Sequence, residues 1–324
     1  NMVYNVQQTV TWQGDVYDDV DQVVAITALP LYHIFSLEGN CLSVMSMGGL
    51  NVLITNPRDF EGFAKEIARF EFNLFTGVNT MFASLMNTPS FEKIDFSQLK
   101  VAIGGGMAVQ PAVAKEWKQK TGQPILQGYG LTETSPVAVC CRVGDDFTGT
   151  IGLPVPSTDV IIAADDGNAL PLGEIGEICV KGPQVMEGYW QRPQDTADVM
   201  LPGGWLRTGD VGRMDEDGFV WIEDRKKDMI LVSGFNVYPN EIENVIVEID
   251  GVLEAAAIGI ADEKSGEIVK IFAVRKDASI SEQDILDHCR ENLTGYKRPK
   301  LVEFREELPK TNVGKILRRA LRDE

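Results

Sequence analysis

Between residues 23 and 121, short apolar runs alternate with stretches in which apolar side chains recur at threes and fours. The runs fall at 23–29, 50–55, 74–78 and 101–105, each of strand length. The intervening stretches at 60–70, 79–86 and 111–121 have helical periodicity. Such alternation predicts a doubly wound α/β layer with a mainly parallel sheet. From about 149 to 222 the texture changes to β-like runs at 160–163, 176–181 and 218–223, separated by Gly, Pro and Asp turns, which predicts a small β-barrel-like subdomain. After Asp224 the pattern becomes α+β, with helices at 239–248 and 281–292 and strands at 254–260 and 269–275. Pro239 suits a first helical turn, and Ser281 with Asp284 three residues on reads as a helix N-terminus. No internal repeat or low-complexity tract interrupts the order. The expected organisation is therefore a large domain made of a partial α/β portion (1–148) and a β-barrel-like subdomain (149–224), followed by a small mobile α+β domain (225–324) hinged near 224–228.

Composition narrows the partners. At 324 residues and 44% apolar content the chain can support at least two hydrophobic cores. A formal charge of −18 argues against nucleic acid or an anionic membrane as a general partner. The charge is uneven, because Lys297, Arg298, Lys300, Arg305, Lys310, Lys315, Arg318, Arg319 and Arg322 form a basic island near the C-terminus. Such an island either faces a polyphosphate or pairs with acids of its own fold. The five cysteines have no CxxC spacing and apolar surroundings, so reduced, mostly buried thiols are expected. No apolar run reaches the roughly 20 residues that span a bilayer, and nothing resembles a secretory signal, so cytoplasm is the default location.

The densest chemistry lies in WLRTGDVGRMDEDGFVWIEDRKKDMILVSGFNVYPNEIE, which begins at Trp205. It reads as a polar, glycine-punctuated loop, a short strand pair and a basic turn. A charge buried without a partner is costly, so Asp210 and Arg225 suggest a polyhydroxylated anion such as a nucleotide. Gly-Asp pairs also make ordinary turns and Lys/Arg clusters are usually solvated, which leaves this segment evenly balanced when taken alone.

The order of further segments breaks the balance. Gly128-Tyr-Gly-Leu-Thr-Glu133 lies upstream, and Pro309-Lys-Thr-Asn-Val-Gly-Lys315 follows near the end. In that order the chain resembles the adenylate-forming superfamily of acyl-CoA synthetases, adenylation domains and luciferases. Leu29-Pro-Leu-Tyr-His-Ile-Phe35, Ile54-Thr-Asn-Pro-Arg-Asp59, Gly104-Gly-Gly106, Lys181-Gly-Pro-Gln-Val-Met186 and Thr294-Gly-Tyr-Lys-Arg-Pro-Lys-Leu-Val-Glu-Phe304 are similar to the bacterial long-chain fatty acyl-CoA synthetases. One departure stands out: the superfamily's Ser/Thr/Gly-rich phosphate loop has no counterpart between Asn1 and Leu29. The resemblance thus implies a C-terminal fragment that is inactive alone.

The resemblance implies an ATP-dependent fatty acid:CoA ligase, an acid–thiol ligase that passes through an acyl-AMP. Catalysis of that kind is mostly positioning and electrostatics. By the same resemblance Glu133 holds Mg²⁺, Thr132 reaches the α-phosphate, and Gly104, Gly105, Gly106, Gly128, Tyr129 and Gly130 lie beside the nucleotide. Asp210 takes the ribose hydroxyls, Arg225 the ribose or phosphate, and Lys315 the α-phosphate and carboxylate. Lys227 would be the pivot of the small domain, Gly234 and Phe235 would line the coenzyme A channel, and His33 would gate the acyl site. Each also has a plain reading: tight turns for the glycines, a satisfied buried histidine for His33, and a helix-start lysine beside packing residues Ile316, Leu317, Ala320 and Leu321 for Lys315. Fatty acid, ATP and CoA are the implied partners, with peripheral contact to the inner membrane face and a homodimer left open. An aryl, medium-chain or carrier-linked acid, or a nucleotide-binding module without turnover, are the competing functions.

Overall fold

A computed structural model describes residues 1–323. The chain divides into two compact units, one of residues 1–208 and 212–222, the other of 209–211 and 223–324.

In the first unit, strands β1 (Val24–Thr27), β2 (Leu50–Leu53), β3 (Leu74–Gly77), β4 (Val101–Gly105), β5 (Ile125–Gly130), β6 (Val137–Cys140) and β7 (Leu153–Pro154) form one sheet in the order β2-β1-β3-β4-β5-β6-β7. Neighbours from β2 across to β5 run parallel, and β6 and β7 are antiparallel additions. The period of two sorts the strand residues between two cores. Ile26, Phe75, Ala102 and Ile125 face a cluster completed by helices α3 (Phe60–Ile67), α4 (Asn79–Met86) and α5 (Pro111–Thr121), where Phe63, Phe82 and Trp117 are fully buried. Ala25, Leu74, Val101 and Leu126 face Tyr17 and Val44 on the other side. Helices α1 (Met2–Gln13) and α2 (Ser43–Ser46) precede these three. Local signals agree with the elements: Asp59 accepts the Gly62 N–H at 2.9 Å to cap α3, Pro111 opens α5, and Gly122 closes it at φ 78°.

A second sheet holds β8 (Asp159–Ala163), β9 (Gly176–Lys181), β10 (Met200–Leu201), β11 (Trp205–Met214) and β12 (Val220–Arg225), in the order β10-β11-β9-β8 with β12 on β11. Its inward residues Ile162, Ile178, Val180, Leu206 and Val220 share a core with Tyr129, Ala138 and Val139, so this β-rich stretch and the α/β layer belong to one unit. Helix α6 (Pro193–Val199) precedes β10. The supposed polar loop after Trp205 is instead a continuous strand of 10 residues, with Gly209 at φ 73° taking up the irregularity.

The second unit is α+β. Strands β13 (Ile230–Val232), β14 (Phe235–Val237), β15 (Val252–Asp262), β16 (Gly266–Arg275) and β17 (Leu301–Arg305) form a sheet covered by α7 (Pro239–Val247) and α8 (Glu282–Asn292), with Ile242, Ile246, Ile271 and Ile285 fully buried between them. Ser281 caps α8 through the Asp284 N–H, and the Asp284 carboxylate accepts the Ser281 N–H in return. On the opposite face Phe272 and Ile258 pack against Leu308 and Leu321, the latter from α9 (Arg318–Arg322). Leu317, read as a packing position, is instead exposed.

A π-helical turn, Ser36–Leu42, has no warning in the sequence. It turns Glu38 and Asn40 into the interior. Glu38 Oε1 accepts the hydroxyls of Ser43 (3.0 Å) and Thr9 (3.3 Å), while its Oε2 has no partner. All five cysteines are unbridged, and all but Cys41 are buried. Among the described residues no helix is long and apolar enough to cross a membrane.

Candidate functional site

In the first unit, the sheet order reverses at β1, between β2 and β3, the arrangement in which ligands are taken beyond the carboxyl ends of parallel strands. The glycine-rich segments sit at those ends. The three glycines at the end of β4, Gly104 and Gly105 within it and Gly106 just beyond, are not equivalent. A side chain at Gly104 would meet Val109 at 2.4 Å and Ile125 at 3.0 Å, and one at Gly105 would meet Phe35 at 3.0 Å and the Gly128 carbonyl at 3.1 Å. Both positions therefore require glycine for the close packing of their own fold. Gly106 is exposed, at φ 74°, and offers open backbone. Val109 is held in turn by a residue that carried no sequence signal: the buried Gln127 side chain accepts the Val109 N–H at 3.0 Å and donates to the Thr150 carbonyl at 2.9 Å.

On β5, Gly128 has ordinary room, whereas a side chain at Gly130 would fall 1.7 Å from the Pro136 carbonyl oxygen. That clash admits only glycine and fixes the turn Leu131–Pro136 against the strand end. Tyr129 points into the core shared with the second sheet. A short 3₁₀ turn, Thr132–Thr134, follows, with the Leu131 N–H donating to Thr134 Oγ1 at 2.8 Å. Thr132 is exposed and Glu133 half-buried. The Glu133 carbonyl accepts the Met186 N–H at 2.8 Å, and its Oε1 accepts the Tyr189 hydroxyl at 2.7 Å. Burial first, then the Glu133 carboxylate, pushes the Tyr189 phenol up to about 12. His33 is half-buried, its Nδ1 accepting the Phe35 N–H at 3.3 Å.

In the second unit, Asp210 is buried on β11 and receives the Arg225 guanidinium, Nε to Oδ1, at 3.3 Å. The Lys226 N–H donates to the Gly209 carbonyl at 2.9 Å, which ties the end of β12 beside Asp210. Lys315 lies on a tight loop closed by the Lys310–Ile316 bridge, with the Thr311 N–H donating to the Lys315 carbonyl at 2.8 Å and Gly314 at φ 83°. Burial pushes the Lys315 ammonium below its ordinary value, helped by Arg225 and Arg318 and opposed by Asp210 and Asp228. Asp210, Arg225 and Lys315, distant in sequence, thus come within electrostatic reach of one another.

Beside them is a buried ion cluster, in which part of the basic island pairs with acids of its own fold, the second of the two alternatives that the sequence offers. Arg318 pairs with Asp224 at 3.1 Å, Asp228 at 3.5 Å and Glu243 at 2.7 Å. Arg322 joins Asp228 at 3.0 Å. Burial pushes Asp224 upward while Arg318 pulls it down. The basic island is largely answered by acids of its own unit, Lys297 by Glu241 and Lys310 by Glu254 as well. Lys227 is exposed in the turn 226–228. Asp224, however, is anchored to the Asn240 N–H at 2.8 Å, so the turn is built into the second unit. Gly234 and Phe235 form the exposed β13–β14 tip, where the Phe235 ring stacks on Tyr296 with centroids 4.7 Å apart.

Residues 1–190 match the family model of AMP-binding enzymes, and 241–315 match that of the AMP-binding enzyme C-terminal domain. The chain belongs to the AMP-binding enzyme family. Among curated relatives, the long-chain-fatty-acid--CoA ligase of Escherichia coli O6:H1 is 56% identical over the whole chain, which spans 58% of that protein. The Bacillus subtilis protein of the same name is 39% identical over all of the chain and 58% of its own length. An Amycolatopsis feruloyl-CoA synthase is also 39% identical, over 92% of the chain and 61% of that protein. Among solved structures, ATP-bound MatB from Rhodopseudomonas palustris superposes with a TM-score of 0.88 at 32% identity, covering 98% of the chain and 63% of MatB. The o-succinylbenzoate CoA synthetase of Bacillus subtilis, in complex with its acyl-adenylate intermediate, gives 0.85 at 31% identity, covering all of the chain and 65% of that enzyme. The α/β fold expected from the sequence is that of adenylate-forming enzymes.

Proposed function

We propose that the protein acts in ATP-dependent ligation of long-chain fatty acids to coenzyme A, the acid–thiol ligase reaction named for its 56% identical relative. The convergence of Asp210, Arg225 and Lys315 carries this reading. In the first step a carboxylate oxygen attacks the α-phosphorus of ATP and pyrophosphate leaves; in the second the coenzyme A sulfur attacks the acyl carbon and AMP leaves. Both steps gather negative charge at a small centre. A fixed carboxylate for the ribose hydroxyls, a guanidinium fork and a desolvated ammonium supply the complementary field, with no protein nucleophile required.

Mg²⁺ fits the residues present. Among the described residues no three His, Cys, Asp or Glu side chains converge as a metal cage, and Mg²⁺ is typically held by one or two carboxylates together with substrate phosphates and water. Glu133 with exposed Thr132 beside it offers that single carboxylate. The cation would neutralise phosphate charge there. In the same reading the exposed backbone at Gly106 and the strand end Gly128–Gly130 flank the nucleotide and acyl group, His33 gates the acyl site, Gly234 and Phe235 meet coenzyme A, and Lys227 is the pivot of a mobile second unit. The protein would work in the cytoplasm, peripherally at the inner face of the membrane, with a homodimer compatible with the reading.

The test is ATP- and coenzyme A-dependent pyrophosphate release by the full-length protein across fatty acids of graded length and aryl acids. Release should rise with chain length, and Lys315→Ala should lower the adenylation step by roughly a hundredfold or more. Turnover on aryl acids alone would replace the fatty acid by the aryl alternative. Nucleotide binding without release on any acid would leave a binding module.

A further inference from the structure

Glu133 is held at both ends by one downstream loop. The Met186 N–H fixes its carbonyl and the Tyr189 hydroxyl fixes Oε1. Tyr189 is itself anchored: its N–H donates to Thr196 Oγ1 at 2.9 Å, and that hydroxyl donates to the Arg192 carbonyl at 2.9 Å, closing the loop onto the start of α6. Close packing leaves no slack, since a side chain at Gly188 would lie 2.7 Å from the Thr196 methyl. A hydroxyl-to-carboxylate bond of 2.7 Å is of the short, charge-assisted kind. Among the described residues, only Oε1 of Glu133 is engaged in this way.

We propose that Tyr189 is a positioning residue that fixes one oxygen of Glu133 so that the other is presented to the cation and phosphates of the nucleotide. The inference rests on the role proposed above for Glu133. A carboxylate on a rotatable side chain samples several orientations, and a bond to one oxygen selects among them before the ligand arrives. Partners of this second rank commonly govern metal affinity by ten- to a hundredfold.

The experiment measures Mn²⁺ binding by electron paramagnetic resonance, in the full-length protein with a non-hydrolysable ATP analogue, for Tyr189→Phe, Glu133→Gln and the double variant. Tyr189→Phe should weaken Mn²⁺ binding about tenfold, and it should change nothing further in the Glu133→Gln background. Equal losses from Tyr189→Phe in both backgrounds would make the tyrosine a purely structural residue and overturn the inference. Wild-type affinity in Tyr189→Phe, with affinity lost in Glu133→Gln, would also overturn it while leaving Glu133 in its role. Undiminished binding in Glu133→Gln would instead remove the role of Glu133, and the inference with it.

Discussion

Glu38 concentrates the cost of one buried charge. It has no exposed surface, its neighbours Ser43 and Thr9 are neutral, and burial pushes its carboxyl up to about 7 from 4.5. The folded protein therefore holds this proton where the unfolded chain releases it. Stability from this group is greatest below about pH 4.5 and declines toward pH 7, by up to about 3 kcal/mol. Glu38→Gln cannot titrate, so the difference in unfolding free energy between variant and wild type should swing in the variant's favour across that window. Denaturant titrations at a series of pH values read this directly, and parallel curves would refute it. The sequence gives no hint of the burial, because Glu38 sits in an unremarkable Ser-Leu-Glu-Gly-Asn and only the π-helical turn rotates it inward. Asp210, Arg225, Glu133 and Lys315 were legible as candidates for the opposite reason, since the order of their local motifs along the chain resembles a known family. Tyr189 and Gln127 were not, because their partners lie far off in sequence.

At the scale of elements, periodicity carries helices well when an apolar stripe must face a core. Residues 79–86 and 111–121 emerged with the expected bounds, and Ser281 caps α8 as its position suggests. Strand β11 was obscured because Thr208, Gly209 and Asp210 break the apolar alternation. Helix α9 is the hardest case, with five residues and a strongly basic composition. So short a helix cannot persist through its own hydrogen bonds. Leu321 and the Arg318 cluster hold it down. Replacing Arg318 leaves Asp224 and Glu243 buried without their cation, so Arg318→Met should cost about 3–5 kcal/mol. Unfolding of the variant followed by far-ultraviolet circular dichroism measures the loss, and a change below about 1 kcal/mol would show that water already screens the cluster.

Across the whole molecule, the change from alternating β and α to β-rich and then α+β texture was visible in the order of apolar runs. The expected union of the β-rich stretch with the α/β layer in one large domain has its physical basis in a shared core, through the long-range contacts of Tyr129, Ala138 and Val139, which the apolar pattern does not specify. Nor did it show that Gly209–Val211 would be claimed by the second unit. That partition has an optical consequence. The five tryptophans, Trp12, Trp117, Trp190, Trp205 and Trp221, all lie in the first unit. Intrinsic indole emission therefore originates in the first unit, while circular dichroism registers both. Phe272→Ala, which empties a buried position of the second unit at a cost of about 3–5 kcal/mol, should move the dichroism transition to lower denaturant and leave the emission transition where it was. A shift of both together would mean that the two units melt as one. If emission alone stays put, the native protein contains a built-in, label-free reporter for the larger unit, and any ligand that changes that light has acted on it.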